Sequence, residues 1–141
     1  MPKQQFNDIF KDIVSEDNVD DAYHKTQLGD TKFKRSALRF AQDVTVNLKE
    51  LRKQVEKGIY QPGEYHFFKV FEPKERLIYA PLFEDKIVQH MINNILKDIY
   101  RPCFIYDSYS CIEGKGTHAC VDRITHFFQV AKRNMEQRRI L

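Results

Sequence analysis

The stretch Tyr65-His-Phe-Phe-Lys-Val-Phe-Glu-Pro-Lys-Glu-Arg-Leu-Ile-Tyr-Ala-Pro81 decides the fold that we expect for this chain. Two extended apolar segments flank a turn that contains proline, which predicts a β-hairpin with strands over residues 65–71 and 77–80. Lys74 and Arg76 lie two residues apart at this turn, and alternate side chains of a strand point to the same face. We therefore expect both cations to reach one anionic ligand.

Helical patterns surround the hairpin. Apolar spacing predicts helices over residues 4–14, 19–28, 32–57 and 84–100, and a further helix that begins at Thr117. For the helix over residues 32–57, Asp30 or Thr31 is expected as the N-cap and Gly58 as the terminating glycine. Pro102 is expected to end the helix over residues 84–100. The predicted fold class is α+β, mostly helical, with a β-hairpin or small antiparallel sheet packed on helices.

The predicted helix over residues 32–57 also has a basic side. Its cations are Lys34, Arg35, Arg39, Lys49, Arg52, Lys53 and Lys57. Such a face is typical of a solvated helix surface, and it would also suit the backbone of a nucleic acid. The sequence leaves both interpretations open, with the solvated face favoured.

A second stretch, Asp107-Ser-Tyr-Ser-Cys-Ile-Glu-Gly-Lys-Gly-Thr-His118, forms a glycine-rich loop that leads into a helix. Glycines let a backbone approach phosphates closely and direct its N–H groups at them. Cys111, His118 and Cys120 are residue types that bind zinc, but their spacing matches no common zinc module and a fourth ligand is not evident. Inert thiols are the favoured interpretation of these cysteines.

The composition indicates one soluble globular domain of 141 residues with a net charge of +3. Residues 1–30 carry three Lys against seven Asp or Glu, and the basic excess lies in residues 31–141. That distribution is compatible with nucleic-acid binding. The chain has no apolar run of membrane-spanning length, no secretion signal and three cysteines without a C-x-x-C pair, so we expect a cytoplasmic protein.

The two stretches in this order resemble the fingers region of bacterial reverse transcriptases, in particular the diversity-generating retroelement and group II intron-like branches. The blocks that carry the resemblance are Glu-Pro-Lys-x-Arg-x-Ile-x-Ala-Pro, a helix with Asp85-Lys-Ile-Val-Gln-His90, and Pro102-x-Phe-Ile-x-Asp-Ser-Tyr-Ser-x-x-x-Gly-Lys-Gly-Thr-His118. The similarity covers about residues 60–130. It implies an N-terminal helical extension over residues 1–58 and a fingers region over residues 59–141.

The resemblance also implies the partners and the site. Lys74 and Arg76 match the cations that contact the phosphates of the incoming dNTP. The residues that match the template-binding block are Ser108, Tyr109, Gly114, Lys115 and Gly116. The implied partners are an RNA template, a primer and dNTP, without a membrane, and the full-length enzyme, an RNA-directed DNA polymerase and so a nucleotidyltransferase, is expected to use Mg²⁺.

The sequence departs from this family in the catalytic residues of the palm, where nucleotide transfer takes place in the family. The family needs a palm aspartate and a Tyr-x-Asp-Asp motif to hold its metal ions. The one Asp-Asp pair, Asp20–Asp21, has Asn18 where the tyrosine belongs. We therefore expect the palm to be absent from residues 1–141, and we assign no catalytic residue and no metal site. The alternatives are a free-standing non-catalytic nucleic-acid-binding module, and a self-associating module that forms a homodimer through the surface that the palm normally covers.

Overall fold

A computed structural model describes residues 8–138 and divides them into two compact units, of which one ends at Tyr100 and the other begins at Arg101. The first, the helical unit, contains α1 (Ile9–Ile13), α2 (Glu16–Thr26), α3 (Arg35–Ala41), α4 (Val44–Glu56), β1 (His66–Val70), β2 (Arg76–Ala80) and α5 (Phe83–Tyr100). The second, the C-terminal unit, contains a 3₁₀ turn, a loop and α6 (Thr117–Arg138). The predicted α+β class with mostly helical content is confirmed. The regions 1–58 and 59–141 stay a prediction. They are defined by the sequence resemblance, whereas the two compact units divide the chain between Tyr100 and Arg101.

The core of the helical unit is formed by α2, α3, α4 and α5. Its buried residues are Val19, Ala22, Tyr23, Ala37, Phe40, Leu48, Leu51, Phe83, Ile87, Val88 and Met91. The rings of Phe40 and Phe83 lie 5.4 Å apart between centroids, within the range of favourable aromatic pairs. None of the described residues of β1 or β2 belongs to this core.

Asn18 connects three helices at the edge of the core. Its Nδ2 donates to the carbonyl oxygens of Ile13 (2.8 Å) and Met91 (3.0 Å), and its Oδ1 accepts from Asn94 Nδ2 (2.8 Å). Ser15 caps α2, because its Oγ accepts from the backbone N–H of Asn18. A buried amide with all these partners fixes α1, α2 and α5 to one another.

The prediction of one helix over residues 32–57 is wrong. A 3₁₀ turn spans Gly29–Phe33, and α3 and α4 are separated at residues 42–43. Asp43 has φ −132°, outside the helical region, and the Asn47 side chain donates to the Phe40 carbonyl at the break (2.9 Å). The apolar spacing continues across the break because both helices face the same core, so periodicity alone does not reveal it.

The predicted N-cap at Asp30 or Thr31 is also wrong, since Lys34 precedes α3 and provides no side-chain cap. The predicted basic side is likewise divided between two helices. Arg52 is half-buried and ion-paired with Glu16 at 2.6 Å, so it is not a free cation.

The helix predicted over residues 19–28 is observed as α2, which begins three residues earlier and ends two residues earlier. Gly58 has φ +67°, and the N–H groups of Gly58 and Ile59 return to the carbonyls of Val55 and Gln54, which closes α4 as a Schellman motif. The strands pair antiparallel from His66↔Ala80 to Val70↔Arg76. The helix predicted over residues 4–14 is observed as α1, with residues 4–7 outside the described part. In the part of the chain that the structure describes, every helix is too short or too polar to cross a bilayer.

Candidate nucleic-acid interface

The hairpin exposes two cations at its tip. Lys74 lies in the turn and Arg76 is the first residue of β2; both are exposed, and neither forms an ion pair within residues 8–138. By contrast, Lys69 is bound to Glu75 at 2.6 Å. The strand-alternation argument does not extend to Lys74, because β2 begins only at Arg76. The pair is nevertheless free to bind an anion.

The root of the hairpin is fastened by a buried carboxylate that the sequence did not single out. Asp85, only 6% exposed, accepts a hydrogen bond from the Tyr60 hydroxyl and a bifurcated one from the Gly63 N–H, whose nitrogen lies 3.3 and 3.2 Å from Asp85 Oδ1 and Oδ2. Burial, together with the hydrogen bond to Asp85, raises the pKa of Tyr60 above its usual range. Residues 60–63 precede β1 and Asp85 follows β2, so this network holds both ends of the hairpin.

Gly63 lies close to the Leu82 side chain at this root. A Cβ there would overlap Leu82 Cδ1, so a larger residue requires the Leu82 side chain to move. The Gly63 N–H donates to the carboxylate of Asp85. The position therefore favours glycine through its contact with Leu82 rather than through an unusual φ.

The glycine loop of the C-terminal unit turns its lysine inward. Lys115 Nζ donates to the Tyr106 carbonyl and lies 4.4 Å from the centroid of the Tyr106 ring and 5.3 Å from that of Tyr109. Gly114 has φ +75°, which glycine adopts without strain, and the Lys115 N–H donates to the Ile112 carbonyl at 3.1 Å. Of the predicted template residues, the structure thus brings Tyr109 and Lys115 together.

The other predicted template residues serve the backbone of the loop. The Ser108 N–H donates to the Ile105 carbonyl, and the Gly116 carbonyl accepts from Cys120 in the first turn of α6. The Tyr109 hydroxyl donates to Asp107 at 3.2 Å. These contacts define the shape of the loop.

Arg123 extends the cluster around Lys115. Its Nε donates to Asp107 Oδ1 at 3.0 Å, and its Cζ lies 5.2 Å from the Tyr106 centroid and 4.5 Å from the Phe127 centroid. Rings and cations therefore alternate from the loop to α6. We call this cluster the cation–aromatic ladder; its members are Tyr109, Lys115, Tyr106, Arg123 and Phe127.

Sequence reasoning missed Tyr106, Arg123 and Phe127. The available signal was the i, i+4 spacing of Arg123 and Phe127 on a predicted helix, which places the two side chains on one face. The contacts to Tyr106 cross a loop without periodicity, so no pattern indicates them.

Metal ligands do not come together in the described residues. Within residues 8–138, no three His, Cys, Asp or Glu side chains are arranged to hold an ion. Cys111, His118 and Cys120 form no such group. The Mg²⁺ expected for the full-length enzyme stays a prediction.

Compared with family models and with curated proteins, the chain matches none of them. Two separate candidate sites thus rest on the chemistry of their own residues. The helical unit has the hairpin tip, whose two cations form no ion pair among the described residues, and the C-terminal unit has the cation–aromatic ladder beside the glycine loop.

Proposed function

We propose that this chain is the fingers region of an RNA-directed DNA polymerase of the reverse transcriptase kind. Lys74 and Arg76 bind the phosphates of the incoming dNTP, and the loop over residues 107–118 binds the template RNA. The observation that carries the proposal is the exposed cation pair at the tip of the hairpin, which forms no ion pair with any residue that the structure describes. The order of the two sequence blocks supports it.

The chemistry of the tip suits a triphosphate. A guanidinium such as Arg76 offers planar, bidentate hydrogen bonds to phosphate oxygens, while an ammonium such as Lys74 acts as a mobile point charge. Because both side chains already lie in water without an ion pair, binding does not require an existing pair to break. The hydrogen bonds to Asp85 limit the orientations of the hairpin, which lowers the entropy lost on binding.

Binding of a fluorescent dNTP analogue tests the role of the tip. We expect the double variant Lys74→Ala, Arg76→Ala to raise the Kd about tenfold or more, because charge-assisted hydrogen bonds are lost. The matched control is Arg35→Ala, Lys53→Ala, which removes the same charge from exposed positions on α3 and α4. If both double variants raise the Kd by the same factor, the effect comes from the change in net charge, and a specific phosphate site at the tip is contradicted.

The polymerase assignment has a separate test in the gene. We expect the coding sequence after residue 141 to encode an aspartate-bearing strand and a Tyr-x-Asp-Asp motif, since residues 1–141 do not supply the carboxylates. A stop codon at that point in an intact gene would contradict the polymerase and leave a nucleic-acid-binding module. We also propose a cytoplasmic location, which suits the reduced thiols of Cys111 and Cys120.

A further inference from the structure

We infer that the cation–aromatic ladder is a stacking site for unpaired nucleobases of a single-stranded nucleic acid, and that Lys115 orders its rings instead of contacting phosphate. This inference rests on the proposed nucleic-acid function and deepens it. In this inference the aromatic rings beside the glycine loop bind the nucleic acid. The sequence had instead indicated Lys115 and the backbone N–H groups of the loop.

The first step is the position of Lys115. Its ammonium donates to the Tyr106 carbonyl and lies over two rings, so contact with a phosphate would break a hydrogen bond and two cation–π contacts. The Lys115 N–H is likewise used, by the Ile112 carbonyl. A lysine held in this way acts as part of the scaffold of the loop.

The second step is the accessibility of the rings. Tyr106 is 71% exposed, Phe127 is 48% exposed, and the neighbouring Phe104 is 56% exposed. Arg123 is oriented over the rings by its ion pair with Asp107. Aromatic rings and guanidinium planes are the surfaces on which splayed bases of single strands stack, with little dependence on base identity.

The third step is the charge around the ladder. Residues 101–138 contain six Lys or Arg against four Asp or Glu, so the C-terminal unit is basic. A purely apolar partner would leave the charged groups between the rings without suitable contacts. A single strand complements both features, because its bases stack on the rings and its phosphates are attracted to the basic unit.

The experiment measures binding of the full chain to three labelled 12-nucleotide probes: oligo(U) RNA, oligo(dT) DNA and an abasic DNA of the same length. We expect both base-bearing probes to bind more tightly than the abasic probe. Tyr106→Leu should raise the Kd for oligo(U) about 5- to 150-fold, the effect of losing one stacked base, while Tyr106→Phe should bind as the wild type does. Phe128→Leu is the matched control, since Phe128 is 72% exposed on α6 but lies outside the ladder.

Salt dependence separates stacking from phosphate contact. In Tyr106→Leu and in Lys115→Ala, the slope of log Kd against log salt should equal that of the wild type, whereas loss of a phosphate contact at Lys115 would reduce it by about one. A wild-type chain that binds all three probes equally, or a Tyr106→Leu variant with unchanged Kd, would overturn the stacking site and leave the proposed function standing. A wild-type chain that binds no probe at low salt would contradict the proposed function itself. The abasic comparison uses no variant, so the test does not depend on whether Tyr106→Leu folds.

Discussion

Among single residues, the buried carboxylate of Asp85 holds the root of the hairpin that exposes Lys74 and Arg76 at its tip. Asp85 is buried, and a buried carboxylate is tolerated only when it is hydrogen-bonded. Tyr60 and Gly63 supply the donors from the far side of the hairpin. An acid in the first turn of a helix is common because it suits the helix dipole, so its position does not indicate that Asp85 is buried.

Removal of the Tyr60 hydroxyl should weaken this root. We expect Tyr60→Phe to lower the free energy of unfolding by about 1–3 kcal/mol at neutral pH, because Asp85 loses a donor. Tyr65→Phe is the control, since Tyr65 is exposed and should change stability by less than about 0.5 kcal/mol. Urea unfolding followed by circular dichroism measures both variants, and a neutral Tyr60→Phe would show that the hydrogen bond does not contribute to stability.

The raised pKa of Tyr60 adds a dependence on pH to the same comparison. The unfolded tyrosine ionises at about pH 10, while the folded one stays protonated to higher pH, so the unfolded state loses its proton first. The stabilisation is complete below about pH 10 and decreases as the pH rises further. The difference between wild type and Tyr60→Phe should therefore shrink above about pH 10, and a constant difference would contradict the raised pKa.

At the scale of the elements, the sequence could predict those whose signals are local. The hairpin followed from a proline turn between apolar segments, the end of α4 from Gly58, and α6 from the glycine loop before it. The separation of α3 from α4 depends on a side chain, Asn47, that binds a backbone carbonyl seven residues earlier, and residue periodicity carries no such information. The candidate sites divide in the same way: local sequence predicts Lys74 and Arg76 as site residues, whereas the ladder depends on contacts across a loop.

Asn18 is the side chain on which the arrangement of elements depends most directly. We expect Asn18→Ala to lower the free energy of unfolding by about 1–3 kcal/mol, because the Ile13 and Met91 carbonyls and the Asn94 amide all lose a partner. Asn134→Ala on α6 is the control, since Asn134 is exposed. Chemical denaturation gives both values, and equal stability of the two variants would show that water replaces the Asn18 amide.

At the scale of the whole molecule, the two units differ in how they are stabilised. The helical unit has a core drawn from four helices, whereas α6 leaves apolar side chains such as Val121, Ile124 and Phe128 exposed. Exposed apolar surface of this kind favours association. It is compatible with the homodimer expected from the sequence, which stays a prediction.

The helical unit should fold without the rest of the chain. We expect residues 1–100 alone to unfold cooperatively, with a midpoint close to that of the full chain, because every residue of the described core lies before Tyr100. Thermal unfolding followed by circular dichroism compares the two chains. A fragment that shows no cooperative transition would mean that residues 101–141 are needed for the helical unit to fold.

The hairpin that carries Lys74 and Arg76 contributes no described residue to the core, and hydrogen bonds to Asp85 fasten its root. Substitutions along its strands and tip therefore change the binding surface while the four-helix core keeps its stability. In evolutionary terms the hairpin is free to diversify. Selection for a new ligand at the tip would meet little opposition from selection for folding.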